Sequence, residues 1–287
     1  MSIMMKIITG IAVVAAILVI IILVMAGVHQ REIAKMKEAL ESGDGEKTEG
    51  KVDFKKLKQL PLPVQRYFKM ALKDGQKYIH LAAFEQEGQL TTAPESKKFL
   101  PFTAVQHVNA ADPGFIWNAK ISMAPVLHIR VVDSFIDGKA GGLVMLLSAF
   151  TVASEENTDR LKSGALYRYL AEGVWCPTTL LPENGVQWQA IDGNRALATL
   201  SDSGSTVSLE FTFNDKGEIV KIYTTERFGL FDGEYRQYPW EGHFSDYVEK
   251  DGMMVPARGE VGWHLPEGFW LFWKGEIQDV AYTYAGN

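Results

Sequence analysis

The sequence predicts an α+β protein: an N-terminal transmembrane helix, then a mostly antiparallel, strongly curved, half-barrel-like β-sheet with a few covering helices. Three observations predict it. The chain opens on an uncharged apolar run. Beyond residue 72 most of the chain alternates with period two. Seven Trp, ten Tyr and fifteen Phe favour the half-buried surface of a pleated sheet.

Between Lys6 and Arg31 no residue is charged, and residues 11–25 are almost all Ile, Val, Leu and Ala. A helix rises ~1.5 Å per residue, so about 20 apolar residues cross a hydrocarbon core ~30 Å thick. Val24-Met25-Ala26 has the small-x-small pattern of a signal-peptide cleavage site, which makes a cleaved leader the rival reading. Length favours an uncleaved anchor, since signal-peptide cores run about 7–15 residues. No Cys follows the run, so it is not a lipoprotein anchor. The expectation is a single-pass protein of a bacterial cell membrane. Lys6 on one flank and Arg31, Lys35 and Lys37 on the other leave the side of the C-terminal part open.

The chain divides into an anchor (1–30), a helical stalk with a polar Gly-rich linker (31–52) and a single β-rich domain (53–287). In the stalk Ile33, Met36 and Leu40 share a face, and the linker proper is 42–50. A short helix with Pro near its first turn is expected over 60–72, with Val64, Tyr67, Phe68 and Leu72 as its apolar stripe. The clearest strand is 206–213, where Val207, Leu209, Phe211 and Phe213 face one way. After the turn at Asn214-Asp215-Lys216-Gly217, residues 218–228 return as its hairpin partner. Phe115, Trp117, Ala119, Ile121 and Met123 alternate likewise. Further strands are expected at 78–90, 98–109, 127–136, 143–152, 195–200, 238–248, 253–263 and 269–284. One helical island, 159–174, carries Leu161, Leu166, Tyr169 and Leu170 at helical spacing. Sequential strands with few helices exclude a βαβ architecture.

Twenty-nine basic residues stand against 35 acidic ones, and Lys6 is the only charge in the anchor. So acidic a domain repels nucleic acid, which is excluded as a partner. Cys176 is the only cysteine and forms no internal disulfide. His29, His80, His107, His128, His243 and His264 lie far apart, none at ligand spacing. No metal and no cofactor are expected, and no nucleophile elbow, dinucleotide fingerprint or calcium loop occurs.

The densest cluster of chemistry-bearing residues is 166–178. Arg168 and Glu172 lie four apart on the expected helix and can pair. Two readings stay open: a surface ion pair worth a few tenths of a kcal/mol, or a charged pair at the mouth of a cavity. Trp175 follows directly, while Trp117 and Trp240 lie in or beside strands as walls of the same cavity. Phe269-Trp270-Leu271-Phe272-Trp273 is apolar on both strand faces, so both must be covered.

Several strings resemble a known family: L-P-x-P-V-x-R-Y-F from Leu60, R-Y-L-A-E-x-x-W-x-P from Arg168, F-x-F-x-x-x-G from Phe211, Pro239-Trp240, and the stretches 188–192 and 261–273. The resemblance covers about 60–284. It is to a family of bacterial proteins catalogued as a domain of unknown function, numbered 6544 or 6920. It implies a prokaryotic, often membrane-anchored protein, and supplies no catalytic residues. The order of elements also looks like the half-barrel of bacterial lipoprotein carriers, whose concave face holds acyl chains.

The reading is therefore a membrane-tethered domain that binds an apolar ligand, a lipid or acyl chain, in the concavity of a curved sheet. Arg168, Glu172 and Trp175 are placed at the mouth, and Trp117 and Trp240 in the wall. The alternatives are a protein-interaction module of an envelope complex and, third, a hydrolase-like enzyme without a recognisable motif.

Overall fold

The computed structural model describes residues 2–43 and 50–284. Positions 44–49 of the expected linker lie outside the described residues. Helix α1 (Ile3–Glu41) is one unbroken element, capped by the Ser2 hydroxyl, which accepts from the Met5 N–H. It is long and apolar enough to cross a membrane. Its last turns carry Ile33, Met36 and Leu40, the face read from the sequence.

Helix α2 (Leu62–Ala71) carries Pro63 in its first turn, where a missing N–H is harmless. Six strands come next along the chain: β1 (Ile79–Leu90), β2 (Leu100–Asn109), β3 (Gly114–Ala124), β4 (Leu127–Ile136), β5 (Lys139–Leu146) and β6 (Phe150–Glu155). Helix α3 (Asp159–Glu172) is capped by Thr158, whose hydroxyl accepts from the Leu161 N–H. Three short 3-10 turns then carry the chain past Pro177 and Pro182. The remaining strands are β7 (Gln187–Ala190), β8 (Arg195–Asp202), β9 (Ser205–Phe213), β10 (Ile219–Thr224), β11 (Phe228–Phe231), β12 (Glu234–Gln237), β13 (Trp240–Lys250), β14 (Met253–Leu265) and β15 (Gly268–Tyr284).

Thirteen strands form one antiparallel sheet in the order β6-β5-β4-β3-β2-β1-β15-β14-β13-β10-β9-β8-β7, while β11 and β12 pair as a separate hairpin. β6 and β7 end the sheet unpaired with each other, so it is open. Right-handed twist accumulates at roughly 20–25° per strand pair, and over this many strands it curls the sheet strongly. The curl brings distant strands together: a Cβ on Gly138, in the β4–β5 turn, would collide with Ser203 in the β8–β9 turn.

The alternation read in β3 sorts its two faces. Phe115, Trp117, Ala119 and Ile121 join the main core on the concave side, covered by α2 and α3. Ile116 joins Val132, Met145 and Leu40 in a second cluster on the outer side. The end of α1 therefore lies on the convex face, where the Asn109 amide donates to the Leu40 carbonyl at 2.9 Å.

Two expected elements differ. The strand expected over 143–152 breaks at Leu147 and Ser148, which adopt left-handed φ of 54° and 59° without any Gly to announce a turn. The partner strand expected over 218–228 stops at Thr224; Phe228 instead opens the β11–β12 hairpin, which turns on Asp232-Gly233, both at positive φ. Strands β7 and β12 lie outside every range expected from the sequence.

Candidate functional site

Helix α3 is buried on most of its circumference, because the curled sheet wraps it: Ala165, Leu166, Tyr167, Tyr169, Leu170 and Ala171 are all buried. Arg168 and Glu172 consequently point into the interior, with side chains only 19% and 20% exposed. The reading of this pair as a surface feature does not describe it. The Arg168 Nε donates to Glu172 Oε1 at 2.7 Å, and its Nη1 donates to Asp133 Oδ2 on β4 at 2.8 Å. The same guanidinium lies 4.9 Å from the Phe115 ring centre and 5.1 Å from that of Trp117.

Polar groups continue the chain inward. The Trp117 indole N–H donates to Gln86 at 2.8 Å, the Gln86 amide donates to Gln106 at 3.0 Å, and the Gln106 amide donates to Glu172 at 2.5 Å. Both glutamines are buried, and each donor in this line meets an acceptor, which is the condition for a buried network to rigidify a site.

Burial lowers the Arg168 guanidinium, but the flanking Glu172 and Asp133 carboxylates outweigh it and hold it above its ordinary value. Asp133 is raised, because burial acts on it more strongly than Arg168 does. Among the described residues no carboxylate pairs directly with Arg227, and Glu172 and Asp133 raise it only from a distance. Burial, then the charge of Arg168, pushes it down to about 10. Its guanidinium lies over both the Trp240 and Trp263 rings, 4.5 and 5.0 Å from their centres, and its Nε donates to the Gly164 carbonyl at 3.3 Å.

Asp133, Arg168, Glu172 and Arg227 face a cavity of about 220 Å³ whose other walls, Glu260 apart, are mostly apolar, among them Leu90, Ile222, Phe244, Val261, Phe272 and Trp273. Asp133, Arg168, Arg227 and Phe272 also line an adjoining cleft of about 390 Å³ between α3, β5–β6 and β11. The first space alone falls short of the ~300–1,000 Å³ of small-molecule sites, and the second falls within it. The Trp240 indole N–H is buried without an acceptor, as is that of Trp270, which lines the adjoining cleft.

All five residues singled out in the sequence, Arg168, Glu172, Trp175, Trp117 and Trp240, lie in the wall of this one cavity. Trp175 is fixed by its indole N–H, which donates to the Pro256 carbonyl at 3.0 Å, and by an edge-on contact with Phe244. Asp133, Arg227, Gln86 and Gln106 were not singled out. A carboxylate inside the run Val131-Val132-Asp133-Ser134-Phe135 is a legible signal, whereas Arg227 lies in a loop where spacing is silent. Two histidines far apart in sequence, His243 and His264, both reach Glu241 on the outer face, at 2.7 and 3.1 Å. Among the described residues no group of three or more His, Cys, Asp or Glu could hold a metal ion.

Residues 58–282 match the model of a family described as a family of unknown function, DUF6920. No curated protein matches the chain. Among solved structures, a DUF1329 family protein from Desulfovibrio piger is similar at 8% identity and a TM-score of 0.40, over 71% of this chain and 86% of that one. A LolA superfamily protein from Nitrosomonas europaea is similar at 10% identity and a TM-score of 0.38, over 77% and 92%. A beta-barrel-like DUF1849 protein from Brucella abortus is similar at 10% identity and a TM-score of 0.25, over 72% and 99%.

Proposed function

The chain belongs to DUF6920, a family of unknown function, and from that premise we propose that it is a membrane-tethered domain that holds an elongated apolar molecule, a lipid or acyl chain, inside its curved sheet. The observation that carries the reading is the cavity: an aromatic and aliphatic wall with its charged groups gathered on one side. An apolar chain gains roughly 0.8 kcal/mol per methylene withdrawn from water, before the cost of association. The gathered charges set which end of the ligand goes where. Arg227 and the Trp240 N–H are donors without a protein carboxylate, so they suit a ligand end that accepts hydrogen bonds, such as a carboxylate, ester or phosphate. The apolar part of α1 supports tethering, since it is exposed from Ile3 to Ile21 and suited to lipid.

The test uses the full chain in a mild detergent. A spin-labelled fatty acid should quench tryptophan fluorescence saturably, because Trp117, Trp175, Trp240 and Trp273 surround the cavity. Solvent extraction of the purified protein, followed by mass spectrometry, should release a lipid-sized molecule. Quenching that rises linearly without saturation, together with an empty extract, would sink the reading.

A further inference from the structure

Helix α1 touches the domain along a regular seam. Ile22, Ala26, His29, Ile33 and Met36 are half-buried and Leu40 is buried, at alternating steps of four and three. Contact therefore begins inside the uncharged run and not after it. Two hydrogen bonds fix the helix's direction: Leu40 is held by Asn109 at the lower end of β2, and the His29 Nε2 lies 3.2 Å from the Ala149 carbonyl in the β5–β6 turn. The apolar residues before His29 thus leave the domain beside that turn and its neighbour, the β3–β4 turn.

Those two turns are themselves apolar and exposed. Val126 is 87% exposed, Val152 58%, and Met123 and Phe150 41% each. In a chain with 35 acidic residues, none occurs from 113 to 132 or from 138 to 154. Just behind the tips lie Lys120, His128 and Arg130. Lys120 and Arg130 are cross-strand partners, and the His128 and Arg130 side chains both meet the Ser148 hydroxyl at 2.8 Å. The opposite end of β4 and β5 turns on Asp137-Gly138, which is polar. Apolar tips with the cations Lys120 and Arg130 behind them match the depth profile of a bilayer interface, where acyl chains give way to phosphates.

We propose that the β3–β4 and β5–β6 turns enter the interfacial layer of the bilayer that holds α1, so that the domain is seated on the membrane and does not hang from it on a stalk. This rests on the membrane reading of α1 and is independent of what the cavity binds.

The experiment places an environment-sensitive nitrobenzoxadiazole label on single cysteines of the full chain in phosphatidylcholine–phosphatidylglycerol vesicles containing doxyl-phosphatidylcholine. Cys176 is buried and burial pushes its thiol up, so it stays unlabelled. Labels at Val126→Cys and Phe150→Cys should emit to the blue of one at Lys139→Cys and be quenched more strongly. Lys139 lies on the same strands at their other end, about 30 Å away at ~3.3 Å per residue. A label at Val19→Cys reads insertion of α1 separately. If that label is quenched while Val126→Cys behaves like Lys139→Cys, the seating is overturned and the anchor stands. If the Val19→Cys label stays in water, the anchor falls and the seating with it.

Discussion

Around α2 the interior is filled. Tyr67 and Phe68 are fully buried, Tyr67 lies 6.1 Å from Phe213, and Trp188 closes on Phe211 at 5.2 Å. Around α3 rings of the same kinds leave a cavity between them. Aromatic content is therefore not what separates the two regions. Helix α2 buries Pro63, Val64, Tyr67, Phe68 and Ala71, none of them charged, whereas α3 adds Arg168 and Glu172 to its apolar residues. A guanidinium between two carboxylates needs its hydrogen bonds satisfied, and the rings near it take positions set by cation–π contact and not by closest packing. Charge on the covering helix holds the second region open.

The largest effect is expected where packing is complete. Phe68→Ala should cost about 3–5 kcal/mol of stability by chemical denaturation, because a filled interior cannot collapse into the gap. A cost near 1 kcal/mol would mean that the region around α2 is also loose.

Arg168→Met comes next. It strands Asp133 and Glu172 without their shared cation and should cost roughly 3 kcal/mol, moderated by the water that still reaches the pair. A double-mutant cycle with Glu172→Gln should give a coupling above about 1 kcal/mol, beyond what exposed pairs show. A smaller coupling would erase the contrast between the regions.

A pair of enlargements sharpens it. Ala198, on β8, and Ala171, on α3, are both buried. Ala198→Leu should cost about 1–3 kcal/mol through overpacking. Ala171→Leu, which extends into the cavity, should cost less than about 1 kcal/mol and abolish saturable quenching by the spin-labelled fatty acid. Equal penalties would mean the cavity is not free space.

The smallest effect lies on the outer face, which belongs to neither region. Burial raises the Glu241 carboxyl, but hydrogen bonds from Lys221, His243 and His264 outweigh it and hold it at about 2, from an ordinary 4.5. A depressed carboxyl stabilises the fold above its unfolded value. Its contribution is therefore intact above about pH 4.5 and fades as the pH falls towards 2. Glu241→Gln should flatten the acid limb of a stability–pH profile, equally with and without ligand.

Much of the fold is legible in the residues alone. Period-two alternation located most strands and sorted β3 and β9 into concave and outer sides, because a one-residue slip would invert every side chain. The motif strings pointed to the family, of the two numbers the one numbered 6920. Helical spacing paired Arg168 with Glu172. It could not show that the sheet curls round α3, since curl is a sum of small twists over many strands and leaves no local mark. For the same reason Asp133, Gln86 and Gln106 read as isolated polar residues. Leu147 and Ser148 hid a turn because nothing in their chemistry favours left-handed backbone.

The middle of the sheet is a seam between β1 and β15, which pair from Ile79–Tyr284 to Leu90–Trp273. On each side of that seam the strands run largely in sequence and can pair as hairpins while the chain is being made. The seam itself closes a loop of nearly the whole domain, and such distant pairing is slow. At about 5–20 residues per second, roughly 10–40 s pass between the synthesis of β1 and that of β15. Throughout that interval β1 presents a bare edge able to recruit a foreign strand. Helix α1 precedes β1 in the chain, so under the proposed tethering the growing sheet waits for its last strand while already held at one place on the membrane.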